Sequence, residues 1–330
     1  MYDHTFIYTG QHYSPKMRDI FFDELEARKP DYSLDISSSD HSKLTDGIYS
    51  CLEKDRPSYV IVYGDTNSTD AGAKAAKKVN SKLIHLEAGL RCFDERIEEE
   101  RNRKFVDSIS DYFITPTHLT EIFLKYEGHE NIYVTGNPIV DVCAHYLPKA
   151  LERKTKEELS LNEKFLLATI HRQENVDDPL VLSKLVSYLS KLDEEVVFPV
   201  HPRTVERLRE YGIELPKNVK ATEPLGYLDF LNLLYSTDVV LTDSGGVEEE
   251  AITLKKPCIT LREKTERQET ILIGANKLFH LSGSQKSQEP LYDVVEEMKN
   301  RSEYIKSLEN PYGEGVTQKI VEAIEKILGE

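Results

Sequence analysis

The chain has 330 residues, 39% of them hydrophobic and 30% charged, with 58 acidic residues against 42 basic ones and a formal net charge of -16. That length points to two domains with cores that need no staples, and the composition excludes collagenous, mucin-like and wholly disordered chains. The negative balance disfavours nucleic acid and anionic membrane as partners, while leaving room for a local basic pocket that takes a small anion.

Apolar β-rich runs and helical spacings alternate along the chain. Strands are expected at 5–9, 59–63, 83–86, 112–115 and 132–135, with helical spacing at 44–52 and 101–109. A second series of strands is expected at 165–169, 196–200, 239–242, 258–261 and 277–281, with helical spacing at 182–192 and 228–235. Several runs are apolar on successive residues, as strands buried on both faces should be. The alternation predicts an α/β fold of parallel sheets with helices on both faces. Residues 138–162 carry many Lys and Glu and read as a helix and linker between two such domains. A crevice between α/β domains is a usual place for a nucleotide or sugar nucleotide. The chain begins almost directly in a strand at Thr5, whereas doubly wound domains often start near the sheet centre with a phosphate-facing loop.

Cys51, Cys92, Cys143 and Cys258 lie far apart without a CxxC, so they read as free thiols of a reducing cytoplasm. No run of eighteen apolar residues predicts a membrane span, and the first residues lack the regions of a signal peptide. The expected location is therefore cytoplasmic. No cluster has zinc spacing, and no Walker loop, Gly-x-Ser-x-Gly elbow or GxGxxG turn is present.

The strongest local signal is Ser244-Gly245-Gly246, between an apolar strand and a helix that continues through Glu250. Glycines let a backbone approach a ligand, and a helix N-terminus offers unpaired N–H groups to phosphate. The competing reading is a Ser N-cap with acidic first-turn residues. Gly64-Asp65-Thr66 also ends a strand and opens a helix, with a purely capping role for Asp65 or Thr66 as the alternative. His85-Leu86-Glu87-Ala88-Gly89-Leu90-Arg91 sets ionisable residues among strand apolars, where they need a partner or a function. Glu87 and Arg91 alternatively form a structural ion pair, and Glu98 to Arg103 a solvated helix start. His171-Arg172 and His201-Pro202-Arg203 each follow an apolar strand and together suit an anionic ligand.

These segments, with Thr265-Glu266-Arg267 and the late Asn310-Pro311-Tyr312-Gly313-Glu314-Gly315, stand in the order found in UDP-N-acetylglucosamine 2-epimerases. The chain resembles the non-hydrolysing, bacterial and archaeal type from about Thr9 to about Ile320. The resemblance implies two Rossmann-like doubly wound domains of GT-B type. They would be an N-terminal domain at 1–145, a UDP-binding domain at 160–312, and a last helix at about 314–330 packing back on the first. It implies a homodimer acting on UDP-GlcNAc, with no metal and no cofactor. Ser244, Gly245 and Gly246 would hold the diphosphate, His171 would reach it, and Glu250 would bind ribose. Arg267, His201 and Arg91 would complete the substrate-binding set. Asp65, Glu87 and Glu99 would be the catalytic carboxylates, with His171 beside the leaving group. Gln11 and His12 match a region that binds an activating second UDP-GlcNAc in some members.

The implied reaction eliminates UDP to 2-acetamidoglucal and adds it back after C2 is protonated on the other face. Rival readings are a hydrolysing epimerase that releases N-acetylmannosamine, an epimerase for a diacetamido-uronic sugar nucleotide, a glycosyltransferase, and a UDP-sugar-binding protein without turnover. Two positions and one segment depart from the family pattern. Glu98 replaces a Pro, Gln268 replaces another, and the family's opening strand with its Gly-Thr-Arg-Pro-Glu loop is not matched. A unit of about 25–30 residues, one strand, loop and helix, would then be absent, with epimerisation weakened and UDP binding kept.

Overall fold

Every strand pairing among the described residues is parallel, and helices lie between most successive strands. The computed structural model describes residues 3–10, 22, 24–36, 40–281 and 290–329. The chain divides into two units, Met1–Pro138 with Tyr312–Glu330, and Ile139–Pro311.

In the first unit β3 (Tyr59–Tyr63), β4 (Lys82–Leu86), β5 (Tyr112–Thr115) and β6 (Ile132–Val134) form one sheet in chain order. β1 (Ile7–Tyr8) pairs separately with β2 (Tyr32–Ser33). The first strand is thus shorter than the run at 5–9, and β2 lies where no strand is expected, in a stretch of two polar-edged residues with no apolar run. The helix His41–Asp55 buries Leu44, Ile48, Cys51 and Leu52, a stripe at three- and four-residue spacing. It packs with the helix Asn67–Lys78, whose Ala71, Ala73, Ala75 and Ala76 are fully buried and keep the contact thin. Each large aliphatic side chain so buried contributes about 1.5–3 kcal/mol.

The helix Val316–Gly329 belongs to this unit, and buries Val316, Ile320, Ala323 and Ile327. Gly136, at φ +103, lies against the Tyr312 carbonyl so closely that no Cβ fits there. The Asn137 N–H donates to that carbonyl at 3.1 Å, and Tyr59 donates to the carbonyl of Ile327 at 3.3 Å.

The second unit holds a six-stranded sheet in the order β12-β11-β10-β7-β8-β9. Its strands are β7 (Phe165–Thr169), β8 (Glu195–Pro199), β9 (Val219–Thr222), β10 (Val239–Thr242), β11 (Cys258–Thr260) and β12 (Asn276–Leu278). The chain runs outward from β7 to β9, then returns to β10 on the other side of β7. The strand order therefore reverses between β7 and β10, which marks a ligand-binding switch point in doubly wound sheets. Strand β9 is an edge with only Val219 buried, so its four residues lack the apolar run that makes β7 and β10 legible.

The segment at 138–162 opens with the helix expected within it. The helix Ile139–Leu151 places Cys143 and Ala150 in the core of the second unit with Leu231, Leu234 and Ala251, and Ile139, Tyr146 and Leu147 pack against them. Most of the charges that mark the segment lie beyond that helix, at 152–158, and the division between the two units falls after Pro138.

Candidate functional site

The carboxyl ends of β7 and β10 meet at the switch point of the second unit. Thr169 and Thr242 share a hydroxyl hydrogen bond of 2.6 Å there. Asp243, fully buried, accepts from the backbone N–H of His171 and of Arg172, each at 3.0 Å, and from Asn175 Nδ2 at 3.0 Å. Its carboxylate also lies 3.2 Å from Nδ1 of His171, whose side chain is 42% exposed. One buried aspartate thus fixes both the backbone and the ring of His171. The His201 ring lies 5.7 Å from that of His171. Nδ1 of His201 accepts from the Arg203 N–H at 3.2 Å, so in the neutral ring Nε2 carries the proton and can donate. Burial, then the neighbouring His171, pushes the His201 pKa down.

Ser244 is the N-cap of the helix Gly245–Thr253, yet its side chain makes no capping hydrogen bond. Simple capping therefore does not account for the motif. Gly246 has no atom within 4 Å of where a Cβ would stand, whereas a Cβ on Gly245 would come within 2.6 Å of Glu266 Oε1 and 3.6 Å of Arg267 Cζ. The Thr265-Glu266-Arg267 segment thus walls one side of the glycine turn and leaves the other side open. Arg267 pairs with Glu249, and Arg262 donates to Glu266 at 3.1 Å. Glu248 is buried and accepts from Thr265 Oγ1 at 2.8 Å and Asn276 Nδ2 at 2.9 Å. Burial, then the charge of Glu266, pushes the Glu248 pKa up to about 7. Glu250 is 7% exposed, and burial pushes its pKa up to about 7 as well, beside Tyr227.

In the first unit the ends of β3 and β4 lie side by side, with the Gly64 N–H donating to the Leu86 carbonyl at 3.0 Å. Gly64 sits at φ +71, and so does Glu87, a left-handed conformation that costs a non-glycine residue about 1–3 kcal/mol. A Cβ on Gly64 would stand 3.4 Å from Glu87 Oε2. Thr66 caps the helix Asn67–Lys78 by accepting from the Thr69 N–H, so Asp65 is not the cap. Its carboxylate pairs instead with Arg103 of the helix Glu98–Ile109. That helix sorts its three leading glutamates by phase: Glu98 is exposed, Glu99 half-buried and Glu100 fully buried. Glu100 accepts from the N–H groups of Cys92 and Phe93, each at 2.9 Å, so it anchors backbone.

Arg91 is 1% exposed, with its guanidinium on Asp107 at 2.7 Å and on Glu127 at 2.5 Å. The structure sets it in a buried ion network and brings it to no open surface. His85, also buried, has Nδ1 at 2.6 Å from Asp107 and Nε2 at 2.8 Å from the Gly64 carbonyl. Both ring nitrogens face acceptors, so the ring is an imidazolium. Burial opposes that charge, but the Asp107 carboxylate outweighs it and raises the His85 pKa. Gln11 and His12 lie outside the described residues. Among the described residues no cluster of His, Cys, Asp or Glu is arranged to hold a metal ion, and no helix is long and apolar enough to cross a membrane.

A family described as UDP-N-acetylglucosamine 2-epimerase matches residues 1–325 of this chain. A UDP-N-acetylglucosamine 2-epimerase of Methanococcus maripaludis is 41% identical, over 96% of this chain and 89% of the relative. A UDP-2,3-diacetamido-2,3-dideoxy-D-glucuronate 2-epimerase of Pseudomonas aeruginosa is also 41% identical, over 82% of this chain and 78% of its own. The crystal structure of Methanocaldococcus jannaschii UDP-GlcNAc 2-epimerase in complex with UDP-GlcNAc and UDP superposes with a TM-score of 0.89 at 39% identity, covering 98% of this chain and 92% of that one. With the parallel sheets and flanking helices described above, this match gives the α/β, GT-B type fold class expected from the sequence.

Proposed function

The chain belongs to the UDP-N-acetylglucosamine 2-epimerase family, and on that premise we propose that it interconverts UDP-GlcNAc and UDP-ManNAc. The observation that carries this reading is the switch point of the second unit. There an open glycine turn at a helix N-terminus stands beside two histidines at strand ends, in a chain that aligns almost end to end with a structure holding UDP-GlcNAc and UDP.

In this reading the second unit holds the nucleotide. Backbone N–H groups after Ser244 receive the diphosphate at Gly245 and Gly246, Nε2 of His201 donates to its oxygens, and His171, its ring held by Asp243, reaches it. Arg267 holds the wall of the turn through Glu249, and Glu250 meets the ribose. Carboxylates of the first unit, Asp65, Glu87 and Glu99, carry the acid–base chemistry. C2 of the sugar adjoins no carbonyl, so its hydrogen is not acidic and direct exchange is slow. Elimination solves this: the C1–O bond to UDP breaks, a carboxylate takes the C2 proton, and 2-acetamidoglucal forms. A carboxylic acid then protonates C2 on the opposite face as UDP returns to C1. Helix dipole and the His201 donor stabilise the charge of the departing diphosphate. Among the three carboxylates, Glu87 holds a strained backbone beside Gly64, as residues at functional sites often do. We further propose a homodimer in the cytoplasm, which suits four buried free cysteines.

The equal identity to the diacetamido-uronate epimerase favours one second reading, in which the sugar carries a carboxylate and a second acetamido group. Incubation with each sugar nucleotide, followed by proton NMR of the products, separates them. UDP-ManNAc from UDP-GlcNAc supports the first reading. Turnover of the diacetamido-uronate alone would replace it by the second, and free N-acetylmannosamine with UDP would replace both by hydrolysis.

A further inference from the structure

We infer that Arg103 is a positioning residue for Asp65: its guanidinium holds one oxygen of that carboxylate and so commits the other to the sugar. The inference rests on the epimerase reading and concerns a residue with no surface of its own to offer a substrate, since Arg103 is only 2% exposed. Its Nε donates to Asp65 Oδ2 at 3.1 Å, and Nη2 donates to the same oxygen. Both donors fall on Oδ2, leaving Oδ1, which receives neither.

The other end of the guanidinium is fixed in turn. Nη1 donates to Glu100, whose carboxylate is pinned by the N–H groups of Cys92 and Phe93. The adjacent Asn102 donates through Nδ2 to the Asp65 carbonyl at 3.0 Å and to Asn67 Oδ1 at 2.9 Å. Two successive residues of one helix therefore hold the side chain and the backbone of Asp65. The same helix bears Glu99 and, through Asp107 and His85, grips the Gly64 carbonyl.

A free carboxylate exchanges its two oxygens by rotation about one bond. Pinning Oδ2 removes that freedom and aims Oδ1, which matters when the proton to be moved sits on carbon. Misplacement of a reacting group by about 1 Å costs on the order of 100-fold in rate. The fork geometry explains why an arginine is needed, because one lysine ammonium cannot present two fixed coplanar donors.

The test is a double-mutant cycle on the full chain. Steady-state epimerisation of UDP-GlcNAc is measured for wild type, Arg103→Gln, Asp65→Asn and the double variant, with UDP affinity by calorimetry. Arg103→Gln should lower kcat by about 100-fold while KM and UDP affinity stay within about threefold. The double variant should be no slower than Asp65→Asn alone, since a residue that acts through Asp65 has nothing left to position. Arg103→Lys keeps the charge in the buried site and guards against failure to fold. It should retain UDP affinity and lose about tenfold in kcat. Additive losses in the cycle, or a wild-type kcat in Arg103→Lys, would overturn the inference while leaving an active wild type and the epimerase reading intact. A wild-type chain that binds UDP but does not epimerise would overturn both.

Discussion

Replacing Gly246 with Val tests the phosphate cradle without breaking the fold. No atom lies within 4 Å of a Cβ at this position, and the backbone is outside the left-handed region, so the substitution meets neither clash nor strain. Gly245 is the poorer choice, because its Cβ would strike Glu266 2.6 Å away and disturb the Arg262 and Arg172 pairs of that carboxylate. A valine at 246 instead fills the space where a phosphate oxygen would meet the first N–H groups of the helix. Losing one charge-assisted hydrogen bond costs about 1.5–3 kcal/mol, which is roughly 10- to 150-fold in affinity. Calorimetry with UDP measures the loss, and thermal melting checks the fold. The melting temperature should stay within about 3 °C of wild type, since a non-glycine residue is favoured in a helical first turn. A folded Gly246→Val chain that binds UDP as tightly as wild type would refute the assignment of the diphosphate to this turn.

Three further outcomes follow from the same structure. Glu248, whose pKa is raised to about 7 by burial, favours its neutral form in the fold. Its contribution is full below about pH 4.5 and is lost as pH rises toward 7, so Glu248→Gln should stabilise the chain at pH 8 by up to about 3 kcal/mol and flatten that slope in urea melts at successive pH values. Gly136→Ala, at φ +103 and against the Tyr312 carbonyl, should destabilise the first unit by about 2–5 kcal/mol, with cleavage near residue 312 in limited proteolysis as the readout. Asp65→Asn, Glu87→Gln and Glu99→Gln should each lower turnover by about 10²–10⁴-fold with UDP affinity unchanged, and near-normal turnover in all three would remove them from the chemistry.

What the sequence makes legible is whatever depends on neighbours along the chain. The apolar runs of β7 and β10, the Ser-Gly-Gly turn after β10 and the histidine after β7 are local patterns, and the fold brings them together at one switch point. What stays hidden depends on partners far away in sequence. Arg91 stands four residues from Glu87, one turn if the segment were helical, and an ion pair between them is a natural expectation. Its guanidinium in fact reaches Asp107 and Glu127. The run Glu98 to Arg103 reads as a solvated helix start, yet Glu100 and Arg103 are buried, because helical phase turns them inward on the backbone of Cys92 and on Asp65. Nothing local distinguishes Glu99 from Glu100; only the 100° between successive helical residues separates them. Strands β2 and β9 stay hidden because their short runs are mixed and partly exposed.

The central claim is that C2 exchanges its proton through elimination and return of UDP. Incubation of the chain with UDP-GlcNAc in D2O, followed by proton NMR at C1 and C2, tests it most directly. UDP-ManNAc should carry deuterium at C2, and deuterium should appear in the recovered UDP-GlcNAc as well. UDP-ManNAc formed with its original C2 hydrogen, or UDP-GlcNAc recovered unlabelled with no epimer formed, would contradict it.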